Sequence, residues 1–248
     1  MNKKAIYFLV GVILVLMAGW KGWQVVKAQG ADWLPVKYVR IVGTFQYIAE
    51  DKIKKTLRDH VINGFYNADI QQIQASLKGL PWVDAVTVKR IWPDTINIAI
   101  DEQRPVARWG DKALLNIKGE SFKPDQINDF SDLALLDGPP GYEKKMLAVV
   151  NKLSAALTGQ RMQLAEFQIN ERRAWNIKLQ NKIVLNAGRN QPLKKIQRFL
   201  NTISLITEQQ IAKIAVVDLR YSNGYALTWK QGEAIIDWKK IAEINKAY

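Results

Sequence analysis

The chain opens on an unbroken apolar run and then changes to short alternating and helically spaced patterns. Residues 5–20, from Ala5 to Trp20, include no charged side chain. At about 1.5 Å per residue that run is roughly 24 Å long, and extending it to Val26 gives about 33 Å, enough for a hydrocarbon core of about 30 Å if Lys21 snorkels. The pattern predicts a transmembrane helix over residues 5–26 behind a short tail, residues 1–4, with Trp20 and Trp23 in the interfacial belt. A cleaved signal peptide ending near Ala28-Gln29-Gly30 fits less well, because such peptides have apolar cores of about 7 to 15 residues and lack a terminal tryptophan pair. Lys3 and Lys4 precede the run and Lys21, Lys27, Lys37 and Arg40 come after it, so basic residues alone do not set its orientation; the short leading tail favours export of the C-terminal bulk of the chain.

Alternation returns from Val36 to Gly43, the period of a half-buried strand. Ile53, Leu57 and Val61 then repeat at helical spacing, with Glu50 and Asp51 in the first turn complementing the helix dipole. A second helix is expected with Asn67 as its cap and Ile70, Ile73 and Leu77 on its inner stripe, ending at Lys78-Gly79-Leu80-Pro81. Val83–Ile91 and Thr95–Asp101 read as strands around the turn Trp92-Pro93-Asp94, with Ile96, Ile98 and Ile100 on one face. Strand, helix, helix, strand, strand over residues 35–104 is an α+β unit with both helices on one face of the sheet.

Residues 105–230 read as a mostly antiparallel β domain with flanking helices. Ala113–Ile117 and Glu120–Phe122 suggest a hairpin, Asp137-Gly138-Pro139-Pro140-Gly141 a turn, and Glu143–Leu157 a helix. Strands are expected at Ala165–Ile169, Trp175–Leu179 and Ile183–Leu185, and Pro192 opens a helix with Leu193, Ile196, Leu200 and Ile203 on one stripe. Ile214–Leu219 and Tyr225–Trp229 flank Ser222-Asn223-Gly224, where Asn-Gly signals a tight hairpin. Residues 231–248 form a tail or a docked helix.

Composition narrows the chemistry. The 248 residues include no cysteine and one histidine, His60, so thiolate catalysis, disulfides and cysteine or histidine metal clusters are excluded. Neither a nucleophile elbow nor a phosphate-binding loop occurs, and Asp101 and Glu102, adjacent in a strand, point to opposite faces. The net charge of +13 is unevenly spread: residues 35–104 carry ten basic and eight acidic side chains, residues 105–248 carry 22 and 14. Such a surface attracts anions.

The motifs Leu80-Pro81-Trp82-Val83, Val88-Lys89-Arg90-Ile91-Trp92-Pro93 and Asp101-Glu102-Gln103-Arg104-Pro105-Val106-Ala107-Arg108-Trp109 resemble the POTRA domain of the FtsQ/DivIB family of bacterial cell-division proteins. Arg172-Arg173-Ala174-Trp175, Ala187-Gly188-Arg189 and Asp218-Leu219-Arg220-Tyr221-Ser222-Asn223-Gly224 are similar to motifs of that family's β domain. Two positions depart from it: Ile48 stands where a Ser or Thr usually caps the first POTRA helix, and Lys182 where a hairpin glycine is common. The resemblance implies a non-enzymatic divisome scaffold without cofactor, nucleic-acid partner or small-molecule substrate. It would be a single-pass inner-membrane protein at the septum, N-terminus cytoplasmic and bulk periplasmic, recruiting FtsB and FtsL and contacting FtsK, FtsW and FtsI. Other POTRA-bearing proteins of envelope assembly or secretion need a barrel for which this chain has no room, and a cell-wall hydrolase lacks its catalytic groups here.

A late hairpin is expected at a sheet edge, where unpaired backbone groups accept another chain. Arg172, Arg220, Tyr221, Ser222, Gly224, Tyr225, Thr228 and Trp229 are the candidate partner-binding residues, Arg and Tyr being the types that carry most interface energy. Trp82, Trp92 and Trp109 are assigned to core closure, and Lys194, Lys195 and Arg198 to a solvated helix face.

Overall fold

The structure, a computed structural model, describes residues 35–230 apart from Asn63, together with the helical positions Gly11, Ile13, Leu16, Met17, Gly19, Trp20 and Lys21. Among these residues no helix is long and apolar enough to cross a membrane. The expected spanning helix over residues 5–26 falls mostly outside the described residues, and the tail over 231–248 entirely so. The chain divides into two compact units, Met1–Gln103 and Arg104–Tyr248.

In the first unit β1 (Tyr38–Val42) leads through α1 (Glu50–Val61) and α2 (Ile70–Lys78) to β2 (Val83–Ile91) and β3 (Thr95–Glu102). The sheet order is β1-β3-β2, with β1 parallel and β2 antiparallel to the central β3. The two-helix crossover is what allows the parallel pair. Ile96 and Ile98 are fully buried and Ile100 nearly so, in one core with Ile53, Leu57, Ile73 and Leu77 of the helices. The period-2 pattern of β3 and the helical stripes of α1 and α2 thus meet as expected.

Three local expectations change. Asp69, not Asn67, caps α2: its Oδ1 accepts from the backbone N–H groups of Gln71 at 2.9 Å and Gln72 at 3.1 Å, the reach a cap one residue before the helix has. Helix α1 has no side-chain cap at Ala49. Instead Glu102, at the end of β3, accepts from three successive N–H groups of the preceding loop, those of Gln46 and Ile48 at 2.8 Å and Tyr47 at 3.1 Å. This nest of backbone donors around a carboxylate holds the loop that leads into α1; its bonds go to N–H groups before the helix, not to those of its first turn. Trp92 is the third: it stands 74% exposed at the β2–β3 turn, whereas Trp82 stacks on Tyr47 at 4.3 Å and packs on the first core.

His60 lies across the helix pair, its Nε2 2.9 Å from the Ser76 hydroxyl. Arg90 reaches from β2 to donate to the carbonyls of Phe65, Tyr66 and Ala68, clamping the α1–α2 loop.

The second unit is built on a nine-stranded sheet: β4 (Pro105–Trp109), β5 (Ala113–Asn116), β6 (Ser121–Phe122), β7 (Leu135–Asp137), β8 (Leu164–Ile169), β9 (Trp175–Leu179), β10 (Val184–Gly188), β11 (Ile214–Asp218) and β12 (Ala226–Trp229). Helices α3 (Glu143–Thr158), α4 (Pro192–Ile203) and α5 (Glu208–Ala212) intervene. The spatial order is β12-β11-β10-β9-β8-β7-β4-β5-β6. The sheet is antiparallel in most of its pairs, as expected, but mixed: β4–β7, β7–β8 and β10–β11 are parallel. Each parallel pair is joined by a long connection, as parallel neighbours require, and α3 or α4 fills two of the three.

Phe167, Phe199, Leu136, Met146 and Leu153 are fully buried in one core, and Trp109 packs against its margin. Phe199, absent from the expected stripe of α4, joins Ile196, Leu200 and Ile203, while Leu193 faces outward.

Candidate partner-binding site

One end of the nine-stranded sheet collects the residues singled out for binding. The register places the C-terminal ends of β8, β10 and β11 beside the starts of β9 and β12: Ile169 faces Trp175, Asn186 faces Asn176 and Asp218, and Asp218 faces Ala226. The β8–β9 turn with Arg172, the Gly188-Arg189 corner after β10 and the loop over residues 219–225 therefore share this end. Arg172 is exposed on a turn closed by Asn170, whose Oδ1 accepts from the Ala174 N–H at 2.9 Å.

The β11–β12 connection is not the tight Asn-Gly hairpin. Pairing stops at Asp218 and Ala226, and Gly224 does not take the left-handed conformation that a two-residue turn needs. Helix α4 holds the wider loop instead. Lys195 Nζ donates to the Arg220 carbonyl at 3.0 Å, and Arg198 donates to the carbonyls of Ser222 at 2.9 Å and Gly224 at 3.2 Å. Lys195 and Arg198 act as fasteners rather than as a solvated face, whereas Lys194 is exposed and makes no such bond to the loop.

Arg220 turns back on its own strand. Its backbone N–H, Nε and Nη2 all donate to the Asp218 carboxylate, Nη2 to Oδ2 at 2.6 Å. The Arg220 hydrogen bonds, partly offset by burial, hold the Asp218 carboxyl below the usual carboxylate range, and Asp218 raises the Arg220 guanidinium in return. Gly188 makes room for this pair: a Cβ there would meet Arg220 Cγ at 3.3 Å, and its φ of 69° is one that side chains rarely adopt. The arginine still shows most of its side chain to solvent.

Tyr221 is exposed, as are Ser222 and Arg220, and Gly224 is half-buried. Tyr225 packs edge-on against Phe199 with centroids 5.4 Å apart, and burial pushes its hydroxyl above the ordinary phenol value against a hydrogen bond to Thr202. Trp229 departs from the expected outward role: with Leu227 it packs on the domain core, while Ala226 and Thr228, on the other side of β12, are exposed.

Strand β12 is the last in the order, and among the described residues it pairs only with β11. Among the described residues the site thus combines an edge strand with a loop bearing the exposed Tyr221 and the Arg220 guanidinium, and with Arg172 on the β8–β9 turn at the same end, a surface suited to an extended, acidic chain. Asp218, Lys195, Arg198 and Gly188 belong to the site without having been among its candidates; their signals in the sequence are the Asp-x-Arg pair ending a strand and two basic residues one turn apart on α4.

The family described as "Cell division protein FtsQ/DivIB, C-terminal" matches residues 107–220, and "POTRA domain, FtsQ-type" matches residues 34–103. The chain is 46% identical to the "Cell division protein FtsQ" of Methylomonas methanica, over 96% of each protein. It is 35% identical to the protein of that name from Shewanella oneidensis, over 80% of this chain and 76% of the relative. For the Escherichia coli protein of that name the identity is 31%, over 90% and 83%.

Proposed function

Because the chain belongs to the FtsQ/DivIB family and is a component of the cell-division machinery, we propose that it acts there as a non-catalytic anchor and recruiter, capturing the FtsB–FtsL pair by strand addition to β12. The observation that carries this reading is the outer edge of β12, unpaired among the described residues, beside the fastened loop over residues 219–225. Main-chain hydrogen bonds to β12 supply adhesion, and Tyr221, Ser222 and Thr228 select the side chains that lie across it. Arg220 Nη1 and the Arg172 guanidinium receive partner carboxylates. Asp218 presets the Arg220 fork, which reduces the rotamer entropy lost on binding.

In the same reading residues 5–26 cross the inner membrane once and export the POTRA and β domains to the periplasm at the septum. The exposed apolar side chains of Ile13, Leu16, Met17 and Trp20 on their helix support an apolar surrounding. FtsK, FtsW and FtsI are further partners on this reading.

Calorimetry with an FtsB segment tests the site. Arg220→Ala and Tyr221→Ala are expected to weaken binding by about 30-fold or more, with Lys194→Glu as an unaffected control. Normal binding by both variants at unchanged melting temperature would move the interface elsewhere. A reporter active only in the periplasm, fused after Tyr248, should be active; a silent one would overturn the anchor.

A further inference from the structure

The end of the first unit where β1 begins carries a second surface, unrelated to β12. Strand β1 runs away from this end, α1 returns to it, and β2 returns to it again. The chain entry before Tyr38, the α1–α2 loop and the β2–β3 turn therefore lie together. Direct contacts fix this: the N–H groups of Lys37 and Tyr38 donate to the Asp94 carbonyl at 2.9 and 3.3 Å, and Arg90 grips the Tyr66 carbonyl at 3.3 Å. The chain leaves at the opposite end, past Glu102.

At the entry end apolar groups face solvent. Trp92 is 74% exposed, Tyr38 65%, Tyr66 56% and Ile91 44%. Tyr38 and Ile91 are both in register with Thr95, so they stand in one row on the face of the sheet that no helix covers. The next row, one pleat farther from the tip, is Arg40, Asn97 and Lys89, with both basic side chains exposed. Lys37 adds a third basic group at the rim, beside Asp94 at 3.6 Å. An apolar tip rimmed by aromatic rings with a basic collar one step behind matches the depth profile of an anionic bilayer surface, where acyl boundary lies beneath phosphate.

Chain length fixes what this tip faces. If residues 5–26 span the membrane, residues 27–37 separate its outer face from β1; fully extended they reach roughly 40 Å, and as a coil about 20 Å. The tether joins the unit at the aromatic end, so this end is held nearest the lipid.

We propose that the tip formed by Tyr38, Tyr66, Ile91 and Trp92 docks on the anionic phospholipid surface from which the chain emerges, with Lys37, Arg40 and Lys89 on the headgroups, setting the orientation of the first unit on the membrane. The proposal rests on the single-span reading of residues 5–26, and the test separates the two. The chain has no cysteine, so single-cysteine variants of the full chain accept one fluorophore each. Leu16→Cys, Ile91→Cys and Thr87→Cys, labelled with a polarity-sensitive dye, go into phosphatidylglycerol nanodiscs holding one copy, with nitroxide-bearing lipids as quenchers. Thr87 is exposed on the same open face, two rows from the tip.

The expected result is quenching at 16 and at 91 but not at 87. Lys89→Glu should lower the docked-to-undocked ratio by more than about fivefold, the loss expected for a single basic residue at such a surface. Trp92→Ser should do likewise with its melting temperature unchanged. Quenching at 16 but equal, weak quenching at 91 and 87 overturns the docking; so does a dye at 91 shielded only when discs hold two copies, which would make the tip a self-association surface. Absence of quenching at 16 overturns the span.

Discussion

Arg220 and Asp218, two residues apart at the end of β11, form a closed pair in which one carboxylate accepts from a backbone N–H and two guanidinium nitrogens. Residues alternate in a strand, so i and i+2 leave on the same side; where β11 ends, the arginine can curl back over the aspartate. The pair stiffens the side chain proposed for partner contact without removing it from solvent.

Its pH behaviour is set by the lowered Asp218 carboxyl. A carboxyl depressed in the folded state adds stability that is present above the unfolded value of about 4 and is lost as pH falls through the folded value. Asp218→Asn should therefore melt below the parent near neutrality, and the difference should vanish under acid. The effect is small because Arg220 is largely exposed. Titration by NMR should move the Asp218 carboxyl back up in Arg220→Ala.

Arg198 is expected to matter through the loop rather than the partner. Arg198→Met removes two hydrogen bonds to the carbonyls of Ser222 and Gly224, at a cost of about 1 to 2 kcal/mol. Its Nε is buried without a partner, which lessens the loss. Hydrogen exchange should speed up over residues 219–225 while β9 and β10 stay protected.

Glu102→Ala should cost about 2 kcal/mol in the first unit, because three loop N–H groups lose a charged acceptor together. Glu102→Gln should recover part of it. Thermal unfolding of the two variants distinguishes loss of the acceptor from loss of its charge.

Ile98→Asp places a carboxylate where the parent side chain is fully buried between the sheet and two helices. The expected cost is about 3 kcal/mol or more, read as loss of exchange protection in β1–β3. Protection equal to the parent's would mean that the inward face of β3 is assigned wrongly.

Periodicity serves best where one face decides everything. Ile96, Ile98 and Ile100 are readable as an inward row, and Trp175, Ile177 and Leu179 likewise, since burial on one side leaves a period-2 trace. Strand β7 leaves none. Three residues are too few for a pattern, and its two parallel partners arrive from distant parts of the chain. The edge position of β12 is legible from the late hairpin, but the shape of its loop is not: Asn223-Gly224 favours a tight turn, and Lys195 and Arg198 override that local preference from another element. Lys182 takes φ of 70°, the left-handed conformation in which a glycine would sit without strain. Trp92 departs from its expected core role because a tryptophan at a turn reads alike in sequence whether it closes a core or faces outward.

Strand β7 has a further consequence for how the second unit carries load. The chain enters through β4, and any tension applied at the β12 edge must return to that entry along the hydrogen-bonded sheet. β7 is the bridge in this path, joined to β4 by the rows Arg108–Leu135 and Trp109–Leu136 and to β8 by three rows from Leu135 to Asp137. A pull across the sheet concentrates on the two rows of β4–β7, which would yield before the ladders of three rows or more between β7 and β12. The sheet is thus built as a chain of unequal springs, and its softest coupling sits between the proposed grip at β12 and the tether at β4. Stretching in an optical trap should give a first, small extension from the β7 joint, with the grip still intact.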